Sequence, residues 1–136
     1  MYELALNHVA QEVATTIIAQ PERPDFVWDC KTHYVILEVD EFQHNDRPCE
    51  CEQTCMVNVT QSLGRPCLWV RYNPDDFKGQ KASLKELRRR EMLEKYLIQC
   101  HHSSPQNPSE FCRVSYLFFD GFKVNQPIAM EIIPIM

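Results

Sequence analysis

The five residues Asp29-Cys30-Lys31-Thr32-His33 separate two runs of β character, Asp25–Asp29 and Tyr34–Asp40, and so short a spacer folds them into an antiparallel hairpin. Alternation along the second run sends Tyr34, Ile36, Glu38 and Asp40 to one face and Val35, Leu37 and Val39 to the other. With the turn centred between Lys31 and Thr32, Asp25 falls opposite Glu38, their Cβ atoms roughly 5 Å apart. Two or three carboxylates therefore converge at the C-terminal end of the second strand, beside apolar runs such as Phe26-Val27-Trp28 and Val35-Ile36-Leu37. Acids avoid the edge of a core unless something there neutralises them.

Hard cations want oxygen ligands, and Mg²⁺ or Mn²⁺ typically takes one or two carboxylates with water and substrate phosphate completing the shell. Asp25, Glu38 and Asp40 are the candidate ligands. His44, four residues beyond Asp40, is placed to act as a general base or a further ligand. The alternative from spacing alone is a polar strand end whose acids are solvated.

The rest of the chain reads as α/β. Leu4, Leu6, Val9, Val13, Ile17 and Ile18 predict a helix over 3–19, ended by Pro21 and Pro24. Pro48 opens a helix over 49–63, with Glu50 and Glu52 at its positive end and Gly64 as C-cap. Residues 67–72 read as a buried strand stopped by Asn73-Pro74-Asp75. A basic helix is expected from Ser83, where Glu86 completes a capping box, and Leu84, Leu87, Met92 or Glu91, and then Lys95 or Tyr96 give it only a moderate apolar stripe. Val114–Phe119 and Ile128–Ile133 are the remaining strands, with a turn at Asp120-Gly121. The expected architecture is a mixed sheet with the 3–19 and 49–63 helices packed on it and the basic helix to one side. At 136 residues the chain fits one domain.

Only three glycines are present, so a glycine-rich phosphate cradle is absent, which argues against a nucleotide-fuelled enzyme. No stretch approaches the roughly 20 apolar residues of a membrane span. The opening MYELALNHVAQE has no basic segment ahead of an apolar run, which predicts an intracellular protein with mostly reduced cysteines.

The order Pro24-Asp25-Phe26, Glu38-Val39-Asp40 and Gln43-His44 resembles the PD-(D/E)xK nuclease superfamily, most nearly the branch of very-short-patch repair endonucleases and related homing endonucleases. The hairpin, helix 49–63 and strand 67–72 follow the same order as that fold, so the resemblance covers about residues 3–76 and implies a restriction-endonuclease-like core. It further implies phosphodiester hydrolysis, with Asp25 and Glu38 as metal-binding acids. The lysine expected two residues after the glutamate is Asp40 here. Gln43 and His44 are the candidates to replace it, since the repair-endonuclease branch relies on histidine. The alternative is a catalytically inactive nucleic-acid-binding relative.

A net charge of −5 argues against nucleic-acid binding by bulk attraction, but the charge is uneven. From Lys78 to Lys95 seven basic residues face three acidic ones, a local +4 that leaves −9 for the remainder. Lys81, Lys85, Arg88 and Arg89 are candidates to track a DNA backbone, and Arg71 either holds a phosphate or pairs with an acid such as Glu12 or Glu38. Pairing of two copies as a homodimer would let both strands be cut. Cys30, Cys49, Cys51 and Cys55 are candidate zinc ligands, which would instead suit a zinc-stabilised interaction module, although Cys-x-Cys-x₃-Cys is not a standard zinc spacing. Cys67, Cys100 and Cys112 read as core, as do Trp28 and Trp69.

Overall fold

A computed structural model describes residues 24–41, 49–80 and 85–135, with backbone alone at 49–51. The expected helix over 3–19, Gln43, His44, Lys81 and Ser83 lie outside the described residues. Five strands form one mixed sheet: β1 (Phe26–Asp29), β2 (Tyr34–Val39), β3 (Cys67–Tyr72), β4 (Cys112–Leu117) and β5 (Glu131–Ile132), in that spatial order. β1 and β5 run antiparallel to their neighbours, whereas β2, β3 and β4 are parallel. Helix α1 (Cys49–Leu63) joins β2 to β3, and α2 (Glu86–His101) joins β3 to β4.

The α/β reading holds, and helix 49–63 and strand 67–72 coincide with their expected limits. The central strand β3 is buried at every position, as a strand covered on both faces must be. Alternation sorts the core into two layers. Val35, Leu37, Leu68, Val70 and Tyr72 pack beneath Leu93, Tyr96, Leu97 and Cys100 of α2. Ile36, Cys67, Trp69 and Val114 pack beneath Met56 and Val59 of α1 on the opposite face. β2, β3 and β4 advance in one direction across the sheet, so two crossovers of the same hand would place both helices on one face. Opposite faces require opposite hands, and one crossover departs from the usual right-handed form.

Several expectations are corrected. The basic helix does not stand to one side but packs on one face of the sheet, over β2 and β3. Its inward stripe is Leu93, Tyr96, Leu97 and Cys100, while Leu87 is 71% exposed. The helix begins at Glu86 rather than Ser83, because Lys85 is extended (φ −82°, ψ 160°) and no side chain caps the first turn. β4 starts two residues earlier than expected and stops at Leu117, where Phe118 turns into left-handed backbone at φ +64°. The final strand shrinks to Glu131–Ile132, which pair only with Val114 and Arg113. No described helix is long and apolar enough to cross a membrane.

Gly64 ends α1 at φ +75° and donates its N–H to the Thr60 carbonyl at 3.1 Å, as its place after the helix predicts. A Cβ there would meet nothing within 4 Å, so substitution tests the backbone alone. Gly64→Ala is expected to cost about 1 kcal/mol in urea denaturation, with Gly64→Asn costing less.

Candidate metal centre

The hairpin register is the one its turn dictates. Phe26 pairs with Leu37 and Asp29 with Tyr34, which carries Asp25 opposite Glu38. Lys31 adopts φ +72°, its N–H donating to Asp29 Oδ1 at 2.8 Å. Arg65 then staples the turn, donating to the Lys31 carbonyl and pairing with Asp29 at 3.0 Å. His33 anchors the same end to α2. It is fully buried, with Nε2 2.8 Å from the Cys100 carbonyl, which requires that nitrogen to donate. Nδ1 then accepts from the Thr32 hydroxyl at 2.9 Å, and burial holds the ring below its ordinary pKa.

At the other end of the hairpin the two acids clasp each other's backbone. The Asp25 N–H donates to Glu38 Oε1 and the Val39 N–H donates to Asp25 Oδ2, both at 2.9 Å. Among the described residues this leaves Asp25 Oδ1 and Glu38 Oε2 without a hydrogen bond. Burial, followed by the charge of Asp25, pushes the Glu38 carboxyl up to about 7, against the opposing pull of the Asp25 N–H and of Arg71. Glu38 therefore gives up its proton only near neutral pH.

Asp40 is fully buried, and its carboxylate is gripped at both oxygens by Arg71: Nε to Oδ2 at 2.6 Å and Nη2 to Oδ1 at 2.9 Å. Its N–H donates to the Tyr72 carbonyl at 2.7 Å. Arg71, 4% exposed, is the Cα partner of Glu38 in the parallel ladder and also lies 3.7 Å from Glu52 of α1. Of the two roles the sequence leaves to Arg71, it takes that of an acid's partner, and the acid is Asp40. Burial opposes the guanidinium charge, but the Asp40 hydrogen bonds and the Asp40, Glu52 and Glu38 charges outweigh it and raise its pKa. A buried aspartate–arginine pair therefore occupies the place where the resemblance expects one lysine.

The other candidates separate. Arg89 is not a surface contact. It is 5% exposed, donates to the Asn73 and Asp75 carbonyls and lies over the Phe118 ring at 4.6 Å. Facing inward from α2, it ties down the loop after β3. Lys85 and Arg88 are exposed at the start of α2. The side chains of Cys49 and Cys51 lie outside the described residues, and of the other two candidate zinc ligands Cys30 stands apart from Cys55. It sits at the turn end of the hairpin and packs against the α2 face, whereas α1 starts at the opposite end of the sheet and covers the other face. A 15-residue helix alone spans about 22 Å. Burial also pushes the Cys30 thiol up to about 11, away from the thiolate that zinc requires. Cys67, Cys100 and Cys112 are fully buried, as expected of core residues. Among the described residues no group of three or more His, Cys, Asp or Glu side chains is arranged around one metal position. Tyr116, which sequence reasoning left unmarked, lies on the same face as Glu38 and Arg71. Alternation within Cys112–Leu117 carries that signal once the register is known.

Removing one member of the Asp40–Arg71 pair strands the other charge in the core. Asp40→Asn and Arg71→Met are each expected to cost about 3–5 kcal/mol by urea denaturation, and Asp40→Leu combined with Arg71→Met far less than the two losses together. Glu38 gives a separate signature. Its carboxyl takes up a proton in the folded state at about 7 but in the unfolded chain at the ordinary 4.5, so between those values the folded state binds more protons. Stability should fall as pH rises from about 4.5 to 7 and then level off. Glu38→Gln should remove that slope from a denaturation-midpoint series. No family model, curated protein or solved structure matches this chain.

Proposed function

We propose that this chain is a metal-dependent endonuclease of the PD-(D/E)xK kind that hydrolyses phosphodiester bonds in DNA. The observation that supports this reading best is the Asp25–Glu38 clasp. Two carboxylates are fixed against each other by reciprocal backbone bonds, at the carboxyl end of the parallel strands, where ligands gather in open α/β sheets. Burial and mutual repulsion disfavour full ionisation there, and a divalent cation would offset both penalties. Two carboxylates with two oxygens outside the clasp fit Mg²⁺ or Mn²⁺, which keeps several positions for water and phosphate. They do not fit a closed, four-ligand zinc site.

Bound there, such an ion would neutralise charge developing on the phosphate and acidify a water molecule. The chain's own residues divide the remaining work. Asp25 and Glu38 hold the cation. Asp40, immobilised by Arg71, fixes the strand end that carries them. His44, in its neutral form, accepts the proton of the attacking water, and Gln43 orients that water. Lys85 and Arg88 contact the nucleic-acid backbone. A second reading draws on one specific observation: the position of the expected lysine is occupied by an aspartate committed to Arg71, which suits a relative that binds nucleic acid without cutting it.

The two readings part in a plasmid-nicking assay with Mg²⁺ or Mn²⁺. Cleavage is expected from the wild type and should vanish in Asp25→Asn and Glu38→Gln, both still folded by circular dichroism. Mg²⁺ should raise the melting temperature of the wild type but of neither variant. His44→Ala should slow cleavage roughly 10²–10⁴-fold at unchanged DNA affinity, the usual scale for a general base. Binding without nicking under any divalent metal would favour the inactive relative.

A further inference from the structure

β1 and β5 are the two edges of the sheet, and among the described residues no strand lies beyond either. The outer side of β5 is open. The Ile133 N–H donates inward to the Cys112 carbonyl at 2.9 Å, so alternation turns the N–H and carbonyl of Ile132 away from β4. Ile132 is 50% exposed and Ile135 37%, two large apolar residues on an edge that carries no lysine. An exposed apolar edge of this kind is a template for pairing with another chain.

The helix beside that edge is equally free of charge. α1 packs over β4, with the Thr60 hydroxyl 3.5 Å from Cys112 Sγ, and from Gln53 to Leu63 it carries no acidic or basic residue. Between α1 and the residues after β5 runs a groove of about 700 Å³, walled by Gln53, Val57 and Gln61 on one side and by Ile133 and Pro134 on the other. The chain as a whole has a net charge of −5, so two copies repel each other over most approaches. On this uncharged face a like-charged copy meets no such opposition, and depletion of charge is what marks the core of an interface.

We propose that two copies of this chain pair through β5, edge to edge and antiparallel about Ile132, joining two five-stranded sheets into one. A two-fold axis at Ile132 lets the two Ile132 residues exchange both backbone hydrogen bonds. The pairing sets Glu131 opposite Ile133 of the second copy and Met130 opposite Pro134, so no like charges are opposed. The other edge fails that test, because self-pairing of β1 about Val27 sets Asp25 opposite Asp29 of the second copy. The helices fit as well. The two β4 strands stand three strand spacings apart, about 14 Å, with α1 of each copy on the same face. That exceeds the roughly 8–10 Å between directly packed helices by about one layer of side chains, so Gln53, Val57 and Gln61 of the two copies fill the paired grooves. The Asp25–Glu38 pair lies at the β1 edge, clear of the interface, and pairing through β5 is independent of whether the chain cuts nucleic acid.

Sedimentation equilibrium of the full chain should show a monomer–dimer equilibrium. Ile132→Pro removes the outward N–H, which β5 does not use within one copy, and should weaken dimerisation roughly 5- to 150-fold, the scale for two hydrogen bonds, with the circular dichroism of the monomer unchanged. Ile132→Lys and Ile132→Glu oppose like charges across the axis, and each should be monomeric. An equimolar mixture of those two variants should recover a dimer, because position 132 faces its own copy. Ile98→Lys, at an exposed apolar position on α2, should dimerise as the wild type does. A wild type that stays monomeric overturns the proposal. So does a dimer that survives both Ile132→Pro and Ile132→Lys, or one that is lost in Ile98→Lys alone, which would place the interface on α2.

Discussion

A carboxylate with no solvent exposure stands at the end of the central parallel pair, and Arg71 makes that tolerable by meeting both of its oxygens. The pair spans three elements. Asp40 directly follows β2, Arg71 belongs to β3, and Glu52 on the first turns of α1 lies 3.7 Å from the same guanidinium. Desolvation of two charges makes such a pair a weak source of stability, but a strong source of geometry, since any shift of one partner leaves the other unpaired. The reciprocal backbone bonds of Asp25 and Glu38 lie next to it on the same face and inherit its rigidity.

A second buried arginine serves the opposite face. Arg89 reaches from α2 to the carbonyls of Asn73 and Asp75, the loop that leaves β3, and lies against Phe77 and Phe118. Both helices are therefore fastened at the carboxyl end of the sheet by a guanidinium, one through carboxylates and one through carbonyls and rings. The opposite end is fastened by His33 and the Cys100 carbonyl, by the buried Arg113, which donates to the Ser103 carbonyl and lies 3.8 Å from Glu110, and by the exposed Arg65–Asp29 pair. Buried guanidinium groups thus stand at both ends of the sheet, Arg71 and Arg89 at one and Arg113 at the other.

Local pattern carried the hairpin, its register, α1 and β3, because each is decided by neighbours in sequence: a five-residue spacer, strict alternation, a proline before a helix and a glycine after it. The same logic misplaced the inward face of α2. Its apolar residues are sparse, and Leu84, Leu87 and Met92 suggest one phase, whereas Leu93, Tyr96, Leu97 and Cys100 pack in another. Arg89 sits inside that second phase and looks like one more basic surface residue until the β3 loop supplies carbonyls for it. The place of Cys30 was illegible for a related reason. Cys30 is near α1 in sequence but lies at the far end of the sheet and against its other face.

The sequence by itself determined that Asp25 and Glu38 would face each other, because a hairpin's register follows from its turn. It also determined that Glu38, Asp40 and Arg71 would sit on alternating positions of strands, each with one face to choose. Which acid Arg71 would meet was decided only by the parallel register of β2 with β3, a contact between segments more than 30 residues apart. The edge-to-face contact of Tyr116 with Phe119 was decided likewise, by a backbone reversal at Phe118 that Asn73 and Arg89 enforce from distant parts of the chain. Periodicity assigns a side chain to a face. Only packing between distant segments assigns it a partner, because the free energy that selects the partner comes from burial that exists only once the sheet has formed.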